Sequence, residues 1–174
     1  MAKKFGVLLA VLLVVSGLAS ATSKEFSMGK FYLTPQVGFA SYGSSIPFGV
    51  NAEYALTENI GIGGTAMFQF WSDSWGSVSW IMLSVEANYH FIKLAADKID
   101  LYVGAGLGYG LYSVSYGSGY LEGGSGSSGL ILQPILGGRY YISPKMAISL
   151  RLTGAVVGGF TGFGAAAGVT FNLK

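Results

Sequence analysis

Glu53, Glu86, Arg139 and Arg151 each fall on the small-or-polar side of a segment whose other side is apolar. Two acids and two bases sum to zero, and a charge withdrawn from water is costly unless it meets a partner. Such a set suits an ion-pair network in a confined interior, where it either satisfies and packs that interior or plugs and gates a conduit. His90 is the sole histidine, with Glu86 on the same side of its segment and with Ser84 and Ser149 on equivalent sides of theirs. A serine–histidine–acid site needs nucleophile, base and orienter within hydrogen-bond reach. His90 lies at the end of its segment away from the longest loop, and no enzyme activity is expected. One histidine and no cysteine make no metal-ligand set, and no cofactor is implied. Gly104, Gly106, Gly108 and Gly110 recur at every second position with no helix following, which is the wrong geometry for a phosphate loop.

These residues need elements that point them inward, and the sequence supplies a period of two. In the segment from Val50 to Leu56, Val50, Ala52, Tyr54 and Leu56 oppose Asn51, Glu53 and Ala55. From Ile81 to Phe91, alternate residues are Ile, Leu, Val, Ala, Tyr and Phe, and between them stand Met82, Ser84, Glu86, Asn88 and His90. Side chains of a strand alternate between faces, whereas a helix would scatter these apolar residues around its axis. The pattern recurs in Phe31 to Phe39, Ile60 to Trp71, Leu101 to Tyr112, Leu132 to Ile142, Met146 to Val156 and Phe163 to Leu173. Eight strands result, most close to the roughly 9–11 residues that cross a bilayer at a tilt, and even in number as bacterial membrane barrels require. Thr57-Glu58-Asn59 and Ser143-Pro144-Lys145 read as tight turns. Longer connections are expected near Gly43 to Ile46, Ser72 to Gly76, Tyr116 to Ser128 and Val157 to Thr161, with a charged link from Ile92 to Asp100 at the opposite end. Counted from that end, the four charges lie at similar depth and are expected in one layer.

Composition decides which face meets which solvent. The chain is 51% hydrophobic and only 10% charged, against about 25% charged in an ordinary soluble domain. Yet the segments after the N-terminus lack the roughly 18 consecutive apolar residues of a membrane helix. An eight-stranded lumen has room only for filling side chains, so the bulky apolar face belongs outside and the glycines and small polar residues inside. Aromatics near the strand ends, among them Phe31, Tyr54, Tyr89, Phe91, Tyr140 and Phe171 at one edge and Phe39, Phe48, Phe68, Phe70, Tyr109 and Phe163 at the other, suit two interfacial girdles. The expected architecture is an all-β, eight-stranded antiparallel up-and-down transmembrane β-barrel with both termini at the tight-turn end.

Lys3 and Lys4, the aliphatic run from Phe5 to Val15 and the small residues Ala19-Ser20-Ala21 have the form of a secretory signal peptide cleaved before Thr22. Residues 1–21 are therefore expected to be removed and residues 22–174 to form the barrel domain. Of the ten basic residues, eight remain beyond Lys3 and Lys4, against eight acidic ones. That balance offers nothing to nucleic acid.

Strand count, alternation and leader together resemble the small outer-membrane β-barrel family that includes OmpX, the OmpA barrel and OmpW-like proteins, over the whole chain. Gly168-Val169-Thr170-Phe171-Asn172-Leu173 resembles the C-terminal signal read by the barrel assembly machinery, through Gly168, Phe171 and Leu173. It departs from the family in having Ala166 where a polar residue is usual, and in ending Leu173-Lys174. The resemblance implies insertion in outer-membrane lipid, assembly by that machinery, a monomer, and either a structural role with outer loops free to bind surface or host ligands, or a narrow porin-like channel or passage for small hydrophobic molecules. It also implies a comparable interior ion-pair network. Ser/Gly-rich Tyr116 to Ser128, with Tyr120, Leu121 and Glu122, supports the first role; Met67, Trp80, Met82 and Ile135 beside inward glycines support the second.

Overall fold

Period-two alternation makes the segments strands, and strands in lipid must leave no unpaired edge, because the hydrocarbon region offers the backbone no other hydrogen-bond partner. A computed structural model, which describes residues 26–41, 46–73, 76–90, 98–116, 124–156 and 162–173, shows how the chain meets that demand. The strands are β1 (Phe31–Ala40), β2 (Phe48–Ala55), β3 (Ile60–Asp73), β4 (Gly76–His90), β5 (Ile99–Tyr116), β6 (Gly124–Ser143), β7 (Met146–Ala155) and β8 (Gly162–Asn172). Each pairs antiparallel with its neighbours in chain order, and β1 pairs with β8 to close the barrel. The described residues form no helix.

Facing follows the alternation. On β5, Leu101, Val103, Ala105, Leu107, Tyr109 and Leu111 are exposed while Tyr102, Gly106, Gly108 and Gly110 are buried. Leu83 is 53% exposed, and Leu107, Leu132, Leu136, Leu150 and Phe163 share its outward setting. An apolar band of this extent is the opposite of a water-facing surface. Of the expected aromatic edges, Tyr54 and Tyr89 stand exposed toward the tight-turn end, hereafter the inner end. Phe39, Phe48, Phe70, Tyr109 and Phe163 stand exposed toward the other, outer end. Phe39 packs on Phe163 at 5.9 Å and Phe48 on Phe68 at 6.0 Å. Phe91 lies outside the described residues.

Two outer connections are shorter than expected. β3 runs through Ser72 to Asp73, and β4 starts at Gly76, paired with it. Gly124 to Ser128 is strand, in register with Ser115 back to Leu111 of β5. Serine and glycine look like loop by composition, but a partner strand that satisfies their backbone overrides so weak a preference. With 18 and 20 residues, β5 and β6 therefore stand well above β2, which has 8. The charged inner link is also shorter, since β5 begins at Ile99 and takes Asp100 into the barrel wall. The expected loops at 43–46 and 157–161 fall largely or wholly outside the described residues. At the inner end Thr57 Oγ1 accepts from the Ile60 amide at 2.9 Å, and Lys145 N donates to Ser143 Oγ at 3.3 Å, tying the two tight turns.

The lumen leaves some glycines no alternative. Gly137 lies against the Tyr102 ring, and a methyl added there would overlap the ring's own atoms. At Gly106 an added methyl would stand 3.2 Å from the Val85 carbonyl and 3.5 Å from Gln133. Gly137→Ala is expected to cost about 1–3 kcal/mol of folding stability, and Gly106→Ala clearly less. Urea titrations of refolded protein compare them directly.

Candidate functional site: the charged lumen

Glu86 on β4 and Arg151 on β7 meet across the lumen. Arg151 Nη1 donates to Glu86 Oε1 at 2.9 Å and Nη2 donates to Oε2, a fork-to-fork pair. Asn51 Nδ2 on β2 and Thr65 Oγ1 on β3 also donate to Glu86 Oε1, the latter at 3.2 Å. Glu86 and Arg151 are 6% and 3% exposed, so the carboxylate is both neutralised and supplied with donors, as a buried charge requires.

A second tier lies nearer the inner end. Glu53 on β2 accepts from Arg139 Nη2 on β6, and from Asn88 Nδ2 at 2.7 Å. Arg139 Nη1 stands 3.6 Å from Asp100 Oδ2. His90 bridges the acids, with Nδ1 2.7 Å from Asp100 Oδ1 and Nε2 3.1 Å from Glu53 Oε1. The Arg139 guanidinium carbon is 5.2 Å from the ring centres of both Tyr32 and Tyr102, a cation held between two aromatic rings. Gly63 is the Cα partner of both Glu53 and Glu86. At neighbouring Gly61 an added methyl would overlap the Glu53 carboxylate.

Toward the outer end the lumen turns apolar. Met67, Trp80, Met82, Ile131 and Ala155 form one buried cluster. Gln36 Nε2 donates to Met67 Sδ at 3.1 Å and Gln133 Nε2 to Met82 Sδ at 3.0 Å. A cavity of about 30 Å³ remains beside them, bounded also by Arg151, Thr153 and Gly164. That volume holds about one or two waters. The Gln133 Oε1 atom beside this cavity is buried without a hydrogen-bond partner, as are Asn88 Oδ1 and Ser84 Oγ elsewhere in the wall.

The four charges singled out in the sequence thus stand in two tiers rather than one layer. The lower tier includes two groups that alternation did not bring to notice in that role. The sequence assigns Asp100 to the charged link, although one further step of the period back from Tyr102 puts it inward. His90 meets Glu53 and Asp100, not Glu86, and among the described residues neither Ser84 nor Ser149 is bonded to it. Among the described residues no group of acids, histidine and cysteine converges on a metal position. Gly168, Phe171 and Leu173 lie in or just beyond β8 at the closing seam, where Phe171 pairs with Leu33 and Gly168 with Gln36, and the Leu173 amide donates to Phe31 O at 2.9 Å. Ala19 and Ala21 fall outside the described residues.

No family model and no curated protein matches the chain. Solved structures do match its fold. The N-terminal β-barrel domain of Pseudomonas aeruginosa OprF is 18% identical with a TM-score of 0.63, over 84% of this chain and 98% of that one. Ail, the attachment invasion locus protein of Yersinia pestis, is 12% identical with a TM-score of 0.57, over 84% and 99%. OprG of Pseudomonas aeruginosa is 9% identical with a TM-score of 0.60, over 87% and 100%. Closed by eight antiparallel strands with an apolar exterior, the chain has the fold of the small eight-stranded outer-membrane β-barrels.

Proposed function

We propose that the chain is a monomeric integral protein of the outer membrane, exported with loss of residues 1–21 and inserted by the barrel assembly machinery through its β8 end. Its role is structural and adhesive, with the lumen serving as a plug and the outer hairpins meeting surface or host ligands. The observation that carries this reading is the filling of the lumen. Two tiers of paired charge cross it, and the cavity above them is water-sized.

Charge placement narrows the class of surface ligand. Among the described residues, Lys30, Lys98 and Lys145 stand at the inner end, and both arginines are in the lumen. In the sequence, Asp73 at the outer end of β3 and Glu122 between β5 and β6 are acidic, and the segments joining strands at that end hold no lysine or arginine. Ail, similar in fold, has been solved in complex with the heparin analogue sucrose octasulfate. A sulfated polyanion would find no cation on the outer side of this chain, so its ligand is neutral or basic. A second reading, a narrow passage for small hydrophobic molecules, draws on the apolar cluster of Met67, Trp80, Met82 and Ile131. Refolded protein in planar bilayers decides between them. The plug gives a silent membrane, whereas stable unitary conductance from the unsubstituted chain would establish the passage.

A further inference from the structure

Phe26 precedes the first strand, yet it is only 3% exposed. Its ring stacks on His90 with centroids 3.6 Å apart and planes 11° from parallel, and it lies 5.3 Å from the Tyr32 ring. The short segment that carries it is folded back over the inner mouth. The Ser27 amide donates to Tyr32 OH at 3.1 Å, and the Gly29 amide to Ala55 O at 2.9 Å. Gly29 has φ of 83°, a turn that a residue with a Cβ rarely adopts. Phe26 then completes a cluster with Tyr32, Ala55, Tyr141 and Ala147 that covers the lower charge tier.

What lies under the lid has a proton requirement. Each ring nitrogen of His90 faces a carboxylate oxygen, Asp100 at 2.7 Å and Glu53 at 3.1 Å. Neutral imidazole carries one N–H and one lone pair, so only the imidazolium donates to both ionised partners. With His90 cationic, it and Arg139 balance Glu53 and Asp100, and the aromatic face of Phe26 rests on a positive ring. Tyr102 from β5 lies 5.0 Å from the His90 ring, and Tyr32 from β1 and Tyr141 from β6 share a buried cluster with the Phe26 that stacks on it. The three tyrosines can titrate but cannot supply a second cation.

We propose that residues 26–30 are a hinged lid on the inner mouth, latched by Phe26 on the His90 imidazolium and released when His90 gives up its proton. Deprotonation passes the proton to solvent and leaves a lone pair against a carboxylate. That repulsion turns the ring out of its stacking plane, leaves the lower tier one negative charge in excess, and removes the cation beneath Phe26. Gly29 supplies the hinge.

The chain has one histidine and no cysteine, which makes the test direct. A nitroxide on Ser27→Cys reports lid mobility in lipid vesicles, and imidazole nitrogen NMR reports His90 alone. At neutral pH both ring nitrogens should be protonated and the label restrained. Raising the pH from about 5 to about 9 should release the label severalfold, with the same midpoint as the His90 titration. Phe26→Ala should free the label throughout that range. A single neutral tautomer at neutral pH, a titration without a mobility change, or a label still restrained in Phe26→Ala would each overturn the proposal. The coincidence of the two midpoints is measured with His90, Glu53 and Asp100 intact, so the outcome does not depend on whether substitutions in the charged tier fold.

Discussion

Arg139→Ala should destabilise the barrel by about 3–5 kcal/mol, the usual consequence of stripping one partner from a buried ion pair. Glu53 is wholly buried, and Arg139 is its direct guanidinium partner. Truncation leaves two carboxylates, Glu53 and Asp100, facing one histidine. Glu53→Gln combined with Arg139→Gln should cost far less, because Asp100 and His90 then balance each other and two amides can still exchange hydrogen bonds. Double-mutant cycles in refolded protein resolve the arrangement. Strong coupling is expected within Glu53–Arg139 and within Glu86–Arg151, and weak coupling between Glu53 and Arg151, which lie in different tiers. Additive effects within the two bonded pairs would remove the plug as an energetic unit. Conductance of the same variants separates plug from gate, since a gate opens when Arg139 is lost and a packed plug stays closed.

Leu83→Arg should cost about 2–4 kcal/mol in bilayers, the penalty for a cation facing lipid near the midplane of a membrane barrel. Leu83 points outward, 53% exposed, between its Cα partners Ala66 and Tyr109. No protein surface covers that exposed portion, so lipid is its solvent. Ser115→Arg is the matched control, because Ser115 is exposed at the outer end of β5, six residues past Tyr109 and away from the middle of the wall. There the same charge should change stability by less than about 1 kcal/mol. Equal and small effects at both positions, measured by urea unfolding from vesicles, would mean that the Leu83 face does not meet lipid.

What sequence alone determined is the wall of this protein. A strict period of two assigns each residue to a face, and an eight-stranded barrel is too narrow to hold the bulky set inside. Leu83, Leu107 and Leu150 therefore had to be outside, and Glu53, Glu86, Arg139 and Arg151 inside. Tertiary structure alone decided who meets whom. His90 and Glu86 share a strand face but lie four residues apart, about 13 Å along an extended chain, so sharing a face did not make them partners. Closure of the barrel instead brings His90 to Glu53 on β2 and to Asp100 on β5. The length of the β5–β6 hairpin was likewise hidden, because Gly124 to Ser128 owes its extended form to hydrogen bonds from β5 and not to its own side chains. Phe26 carries no periodic signal at all. Its burial depends on the Gly29 turn and on a mouth built by β1, β2, β4, β6 and β7, surfaces that exist only once the sheet has closed.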